Sequence, residues 1–163
     1  MKRRFITYFA AVLMTLAILT PVEAEQKKIF KTKYTTIHYN DDKDLSDLLW
    51  KIGGARIDFT ADKEMASNRV DRVIERVETI LDMRPKDLNI NIYLARGELK
   101  YNDVAYYRYK TNALYISVDK VSDGVFAHEI THAIINSYFT MPTSSKIQEI
   151  LGQYVDKYLW SDY

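Results

Sequence analysis

The residues best placed to do chemistry are His128-Glu129-Ile130-Thr131-His132. Side chains four residues apart on an α-helix stand on the same face. Two imidazoles at that spacing can bind one metal ion from one side. Glu129 adjoins the first of them, close enough to reach a metal-bound water without ligating. Zinc accepts imidazole donors and lowers the pKa of that water to about 7. Glu129 can take the proton and later give it to a leaving group. The chain has 3 histidines in 163 residues, and two of them fall in this pattern. A chain of this composition would show the pattern by chance roughly 0.003 times. The bland alternative, two ordinary helix histidines beside a surface Glu, has that frequency against it.

The pattern needs a helix, and the flanking residues supply one. Ser122 can cap a helix running from about Asp123 to Tyr138, and Asp123 suits the positive end of its first turn. Val125, Phe126, Ala133, Ile134 and Ile135 give it apolar sides, and Pro142 prevents its continuation. A last helix starts near Ser145, where Ser145 and Gln148 have capping-box spacing, and runs to about Trp160.

Two histidines do not complete a catalytic zinc site, which usually has three protein ligands and keeps a fourth position open. Helices joined by a short turn tend to pack antiparallel, so Glu149 on the last helix can return towards His132. Glu149 also shares a polar side with Lys146, Gln153 and Asp156, as a solvated Glu would. The spacing leaves both readings open.

His128 to His132, followed by Glu149-Ile150-Leu151-Gly152-Gln153-Tyr154, resembles the gluzincin metallopeptidases, the thermolysin and zinc-aminopeptidase group. In many of them the third ligand opens an E-G-x-A-x-Y-like segment. The resemblance implies a zincin-like fold with Zn2+ held by His128, His132 and Glu149. It makes Glu129 the general base, Gly152 the small residue where two helices approach closely, and Tyr154 the aromatic. Tyr106-Tyr107 and residues 112–119 resemble the strand pair leading into the active helix. It also implies that Leu114 to Val118 receives substrate backbone by strand addition; its alternation equally fits a plain core strand. The likeness spans roughly residues 105–158. There are departures. Sixteen residues separate His132 from Glu149, fewer than in familiar members, and Ile150 replaces the usual Gly. The sequence ends at Tyr163, before the downstream domain that supplies a transition-state Tyr or His in larger members. Tyr106 and Tyr138 are the candidates to replace it.

The remaining elements must hold these two helices. Residues 29–39 read as one strand, with Thr35, Thr36 and Ile37 β-branched. Asp41 to Lys51 suggests a short helix with Leu45, Leu48, Leu49 and Trp50 on one side, ended by Gly53-Gly54. Ala61 to Met83 is the clearest helix. Val70, Val73, Ile74, Val77, Ile80 and Leu81 form its apolar stripe, and Pro85 stops it. Arg69, Arg72, Glu75, Arg76 and Glu78 read as a solvated face. Leu88, Ile90, Ile92 and Leu94 alternate with polar residues as a half-buried strand does. Residues 104–109 and 114–118 read as a hairpin turning at Lys110-Thr111-Asn112. His38 has no neighbour at ligand spacing and reads as structural. The expected fold is α+β, with helices on a small antiparallel-rich sheet.

Lys2, Arg3 and Arg4, the apolar run Phe5 to Thr20, Pro21, and small residues at Val22 and Ala24 read as a secretory signal peptide over residues 1–24. The run is shorter than the roughly 20 residues a spanning helix needs. Residues 25–163 then form one zincin-like domain, periplasmic or extracellular, with no membrane span after cleavage. Cleavage removes three of 23 basic residues and one of 22 acids, leaving a charge near −1. A near-neutral chain without a basic cluster is a poor nucleic-acid binder. With 47% hydrophobic residues and no cysteine, the domain rests on an apolar core without disulfides.

The expected activity is hydrolysis of peptide bonds in a peptide or protein substrate. The alternative is a degenerate zincin serving as a zinc-stabilised binding module in the cell envelope. A zinc hydrolase of a non-peptide bond is a third reading. Oligomeric state is not encoded in any pattern here.

Overall fold

A computed structural model describes residues 28–55, 58, 60–141 and 143–161. The signal segment 1–24 and Pro142 lie outside the described residues. The order of elements is β1 (Lys28–Lys31), β2 (Thr35–Tyr39), α1 (Asp42–Gly53), α2 (Lys63–Leu81), β3 (Ile90–Ala95), β4 (Ala105–Arg108), β5 (Ala113–Ser117), α3 (Asp123–Tyr138) and α4 (Ser145–Tyr158).

The sheet order is β1-β2-β3-β5-β4. β1 with β2 and β4 with β5 run antiparallel, whereas β2 with β3 and β3 with β5 run parallel. The sheet is therefore mixed, not antiparallel-rich. The long connections between parallel neighbours decide this, because alternation shows which face of a strand is buried but not which way its neighbour runs. The single strand expected over 29–39 is a hairpin. Thr32 donates its N–H to the Thr35 carbonyl, and the chain reverses there.

Ile37, Ile92, Leu114 and Ile116 turn into one core shared with all four helices. Their alternates stand on the other face of the pleat. Ile29, His38, Tyr93, Tyr115 and Tyr106 fall in one register row across the sheet. His38, Tyr93, Tyr115 and Tyr106 stack in that order at 4.5 to 5.1 Å. His38 is thus a structural residue, with Nε2 facing Asn91 Oδ1 at 3.4 Å.

α1 opens with a capping box between Asp41 and Asp44. It closes on Gly54 at φ 68°, a left-handed conformation that glycine adopts without strain. Leu45, Leu48, Leu49 and Ile52 form its buried face, each contributing about 1.5–3 kcal/mol of burial. Trp50 falls outside that stripe and is exposed. α2 ends on Asp82 at φ 51°, before Pro85 is reached. Its polar side is not simply solvated. Arg76 donates to the carbonyls of Leu159 at 3.0 Å and Tyr158 at 3.3 Å, fastening the end of α4. Arg69 donates to the Leu49 and Ala55 carbonyls at the end of α1. Arg76 thereby satisfies carbonyls that the end of α4 leaves unpaired.

α3 lies against the sheet, α1, α2 and α4, and is apolar on most sides. The Ser122 hydroxyl accepts from Val125 N–H at 3.3 Å, as its cap position requires. α4 starts at Ser145, as expected, but its cap lies one residue earlier. Ser144, not Ser145, is the cap and accepts from Ile147 N–H. Among the described residues no helix is long and apolar enough to cross a membrane.

Candidate metal centre

α3 and α4 cross closely enough to bring three donors together. Their ligand atoms, from His128, His132 and Glu149, all lie within 4.8 Å of one another. His128 Nε2 stands 3.3 Å from Glu149 Oε2, and His132 Nε2 stands 3.4 Å from Glu149 Oε1. The one-face argument for the histidines holds: their rings lie edge to face, centroids 5.0 Å apart. Glu149 is half-exposed and reaches back from α4 to meet them.

Gly152 leaves room at this crossing for the His128 ring. A Cβ there would stand 2.6 Å from His128 Cε1 and 2.9 Å from its Nε2. No relaxation relieves that overlap without moving the imidazole. The expectation of a small residue at a close helix approach is met at this position. Tyr154 is exposed and packs on Tyr158, one turn along the same helix.

The donors fit zinc. Tetrahedral ligands at about 2.1 Å from the ion lie about 3.4 Å from one another. The two nitrogen-to-oxygen separations, 3.3 and 3.4 Å, run to different oxygens of Glu149, and one donor atom from each residue lies within 4.8 Å of the others, so the set closes by about an ångström on an ion of this size. Two imidazoles and a carboxylate are also a donor set that zinc accepts while leaving a position open. Burial beside His128 pushes the His132 pKa down. That favours the neutral imidazole, which is the ligating form.

Glu129 lies on α3 under β4. Its carboxylate accepts the Tyr107 N–H, which favours the ionised form, but burial dominates and raises its pKa to about 7. The charges of Glu149 and Asp103 push the same way. A carboxyl group titrating near neutrality can both accept and return a proton. Tyr107 is itself fixed. Its hydroxyl donates to Asn112 Oδ1 at 2.8 Å and accepts from Asn136 Nδ2 at 2.7 Å. Asn112 Nδ2 in turn donates to the Asn89 carbonyl. This chain ties β4 to α3 and to the start of β3.

These groups line a cleft of about 420 Å³, with Tyr106, Tyr109 and Thr143 at its sides. β5 is paired on both edges, so Leu114 to Val118 has no free edge for another strand. Beyond it lies β4, which pairs with no further strand among the described residues and whose Tyr107 N–H is taken by Glu129. Of the two tyrosines expected to serve the site, Tyr106 lines the cleft, whereas Tyr138 stacks on Phe139 away from it.

Sequence reasoning missed Gln148, which accepts from His132 through its side chain instead of capping a helix. It also missed the backbone of Tyr107. Neither leaves a signal in the sequence, because both act through contacts between elements. The chain matches no family model, no curated protein and no solved structure.

Proposed function

We propose that this chain is an exported zinc-dependent hydrolase of peptide bonds, with a zincin-like fold. One observation carries the reading. Two imidazole nitrogens at four-residue spacing face the two oxygens of one carboxylate at 3.3 and 3.4 Å, with the half-buried Glu129 carboxyl group beside them in the same cleft. His128, His132 and Glu149 hold the ion. A bound zinc supplies Lewis acidity, polarising a carbonyl and acidifying water.

The chain's own residues do the rest. The Glu129 carboxylate takes a proton from the attacking water and delivers it to the amine nitrogen as the C–N bond breaks. The Tyr107 N–H orients that carboxylate. An extended peptide can lie along the cleft beside β4, whose outward Tyr107 N–H is already held by Glu129. The chemistry asks for a peptide or protein substrate. Export rests on residues 1–24 of the sequence alone.

One observation favours the alternative, a zinc-stabilised binding module. The Tyr107 hydroxyl, nearest in sequence to the Glu129 contact, is committed to Asn112 and Asn136, so it is not free to stabilise a transition state. Tyr106 and Tyr109 are the phenols left along the cleft.

The test is bound metal in the purified protein, wild type beside Glu149→Ala, followed by a quenched-fluorescence peptide screen beside Glu129→Gln. About one zinc per chain, weakened by Glu149→Ala, with cleavage abolished by Glu129→Gln, is the expected result. Zinc without cleavage selects the binding module. No zinc in folded protein after reconstitution overturns both.

A further inference from the structure

Beside the three donors, the side chain of Gln148 makes contacts that fix more than packing. Its amide Nε2 lies 3.1 Å from the Thr143 carbonyl, and its Oε1 lies 3.3 Å from His132 Nδ1. A carbonyl can only accept, so the amide nitrogen must face Thr143. The amide oxygen then faces His132, and it too can only accept. His132 Nδ1 must therefore carry the hydrogen. The neutral ring is left with its lone pair on Nε2, the atom that faces Glu149 Oε1 at 3.4 Å. Two acceptors at that distance repel unless a cation is shared between them. The hydrogen bonds thus present His132 in the one tautomer that can ligate through Nε2.

We propose that Gln148 is a positioning residue that selects the His132 tautomer and aims its Nε2, and so couples the α3–α4 connection at Thr143 to the metal centre. This rests on the metal-site reading above and adds a named cause for the orientation of one ligand. Gln148 precedes Glu149, so α4 carries both a ligand and the group that orients another ligand on α3. A ligating imidazole held through its other nitrogen loses about 10- to 100-fold in metal affinity when that partner is removed.

The experiment compares wild type, Gln148→Leu and Gln148→Glu. Zinc affinity is read by competition with a chromophoric chelator. The tautomer is read from imidazole nitrogen chemical shifts of the metal-free protein, where only three histidines need assignment. Melting of the metal-free forms checks that each variant is folded. The expected result is a His132 Nδ1–H tautomer in the wild type. Gln148→Leu should shift the ring towards Nε2–H and weaken zinc about 10- to 100-fold. Gln148→Glu, which keeps an acceptor at Nδ1 but loses the donor to Thr143, should restore part of the affinity. An unchanged tautomer in folded Gln148→Leu overturns the inference whether or not zinc binds. So does an equal loss of affinity in both variants. A wild type that holds the Nδ1–H tautomer, lost in Gln148→Leu, but binds no zinc refutes the proposed function and leaves the orienting role standing.

Discussion

Replacing Glu129 with Gln should stabilise the metal-free protein, and increasingly so as pH rises. Burial lifts the folded pKa of Glu129 from 4.5 to about 7. A carboxyl group raised in this way favours the fold only while protonated. Its contribution is complete below pH 4.5 and is lost as pH climbs through 7. At pH 8 the ionised form costs at most about 3.4 kcal/mol, from 1.36 kcal/mol per pKa unit over the rise from 4.5 to about 7. At pH 5 the cost is below about 1 kcal/mol by the same linkage. Gln is neutral at both, and its side-chain oxygen still accepts the Tyr107 N–H. The stability gap between variant and wild type should therefore widen by on the order of 2 kcal/mol between pH 5 and pH 8. Subtracting the wild type cancels His132, whose lowered pKa gives the opposite slope. The assay is urea unfolding in chelator at several pH values. At about 2–4 °C per kcal/mol, thermal melts should show the same trend. Adding zinc should narrow the gap, because a nearby cation lowers the carboxyl pKa. A gap independent of pH in the metal-free protein would refute the burial argument.

Gly152→Ala should leave metal-free folding nearly intact, since Ala is the better helix former by about 1 kcal/mol. It should weaken zinc at least tenfold in a chelator titration, because the new Cβ displaces the His128 ring. Tyr107→Phe should cost about 1–3 kcal/mol in urea unfolding, since it strands the polar groups of Asn112 and Asn136. Ile92→Ala, in the fully buried centre of β3, should cost about 2–5 kcal/mol in the same assay without altering zinc stoichiometry.

What the sequence determined by itself is what repeats along one element. The spacing of His128 and His132 is a property of a single helix, so their shared face was legible from a four-residue interval. The same is true of the buried stripes of α1 and α2, the alternation in β3 and β5, the Ser122 cap, and the α+β class. What only the tertiary structure decided depends on how elements meet. It brought Glu149 to the histidines and set strand order, so that β4 and not β5 borders the cleft. It turned Arg69 and Arg76 from an apparent solvated face into ties on other helices. It half-buried Glu129 beside β4, and that desolvation pushes its carboxyl pKa up to about 7. Gln148 shows the reason most plainly. Its spacing from Ser145 satisfied a local pattern, but its side chain is used on a neighbouring helix, and no periodicity records a contact whose two halves lie on different elements.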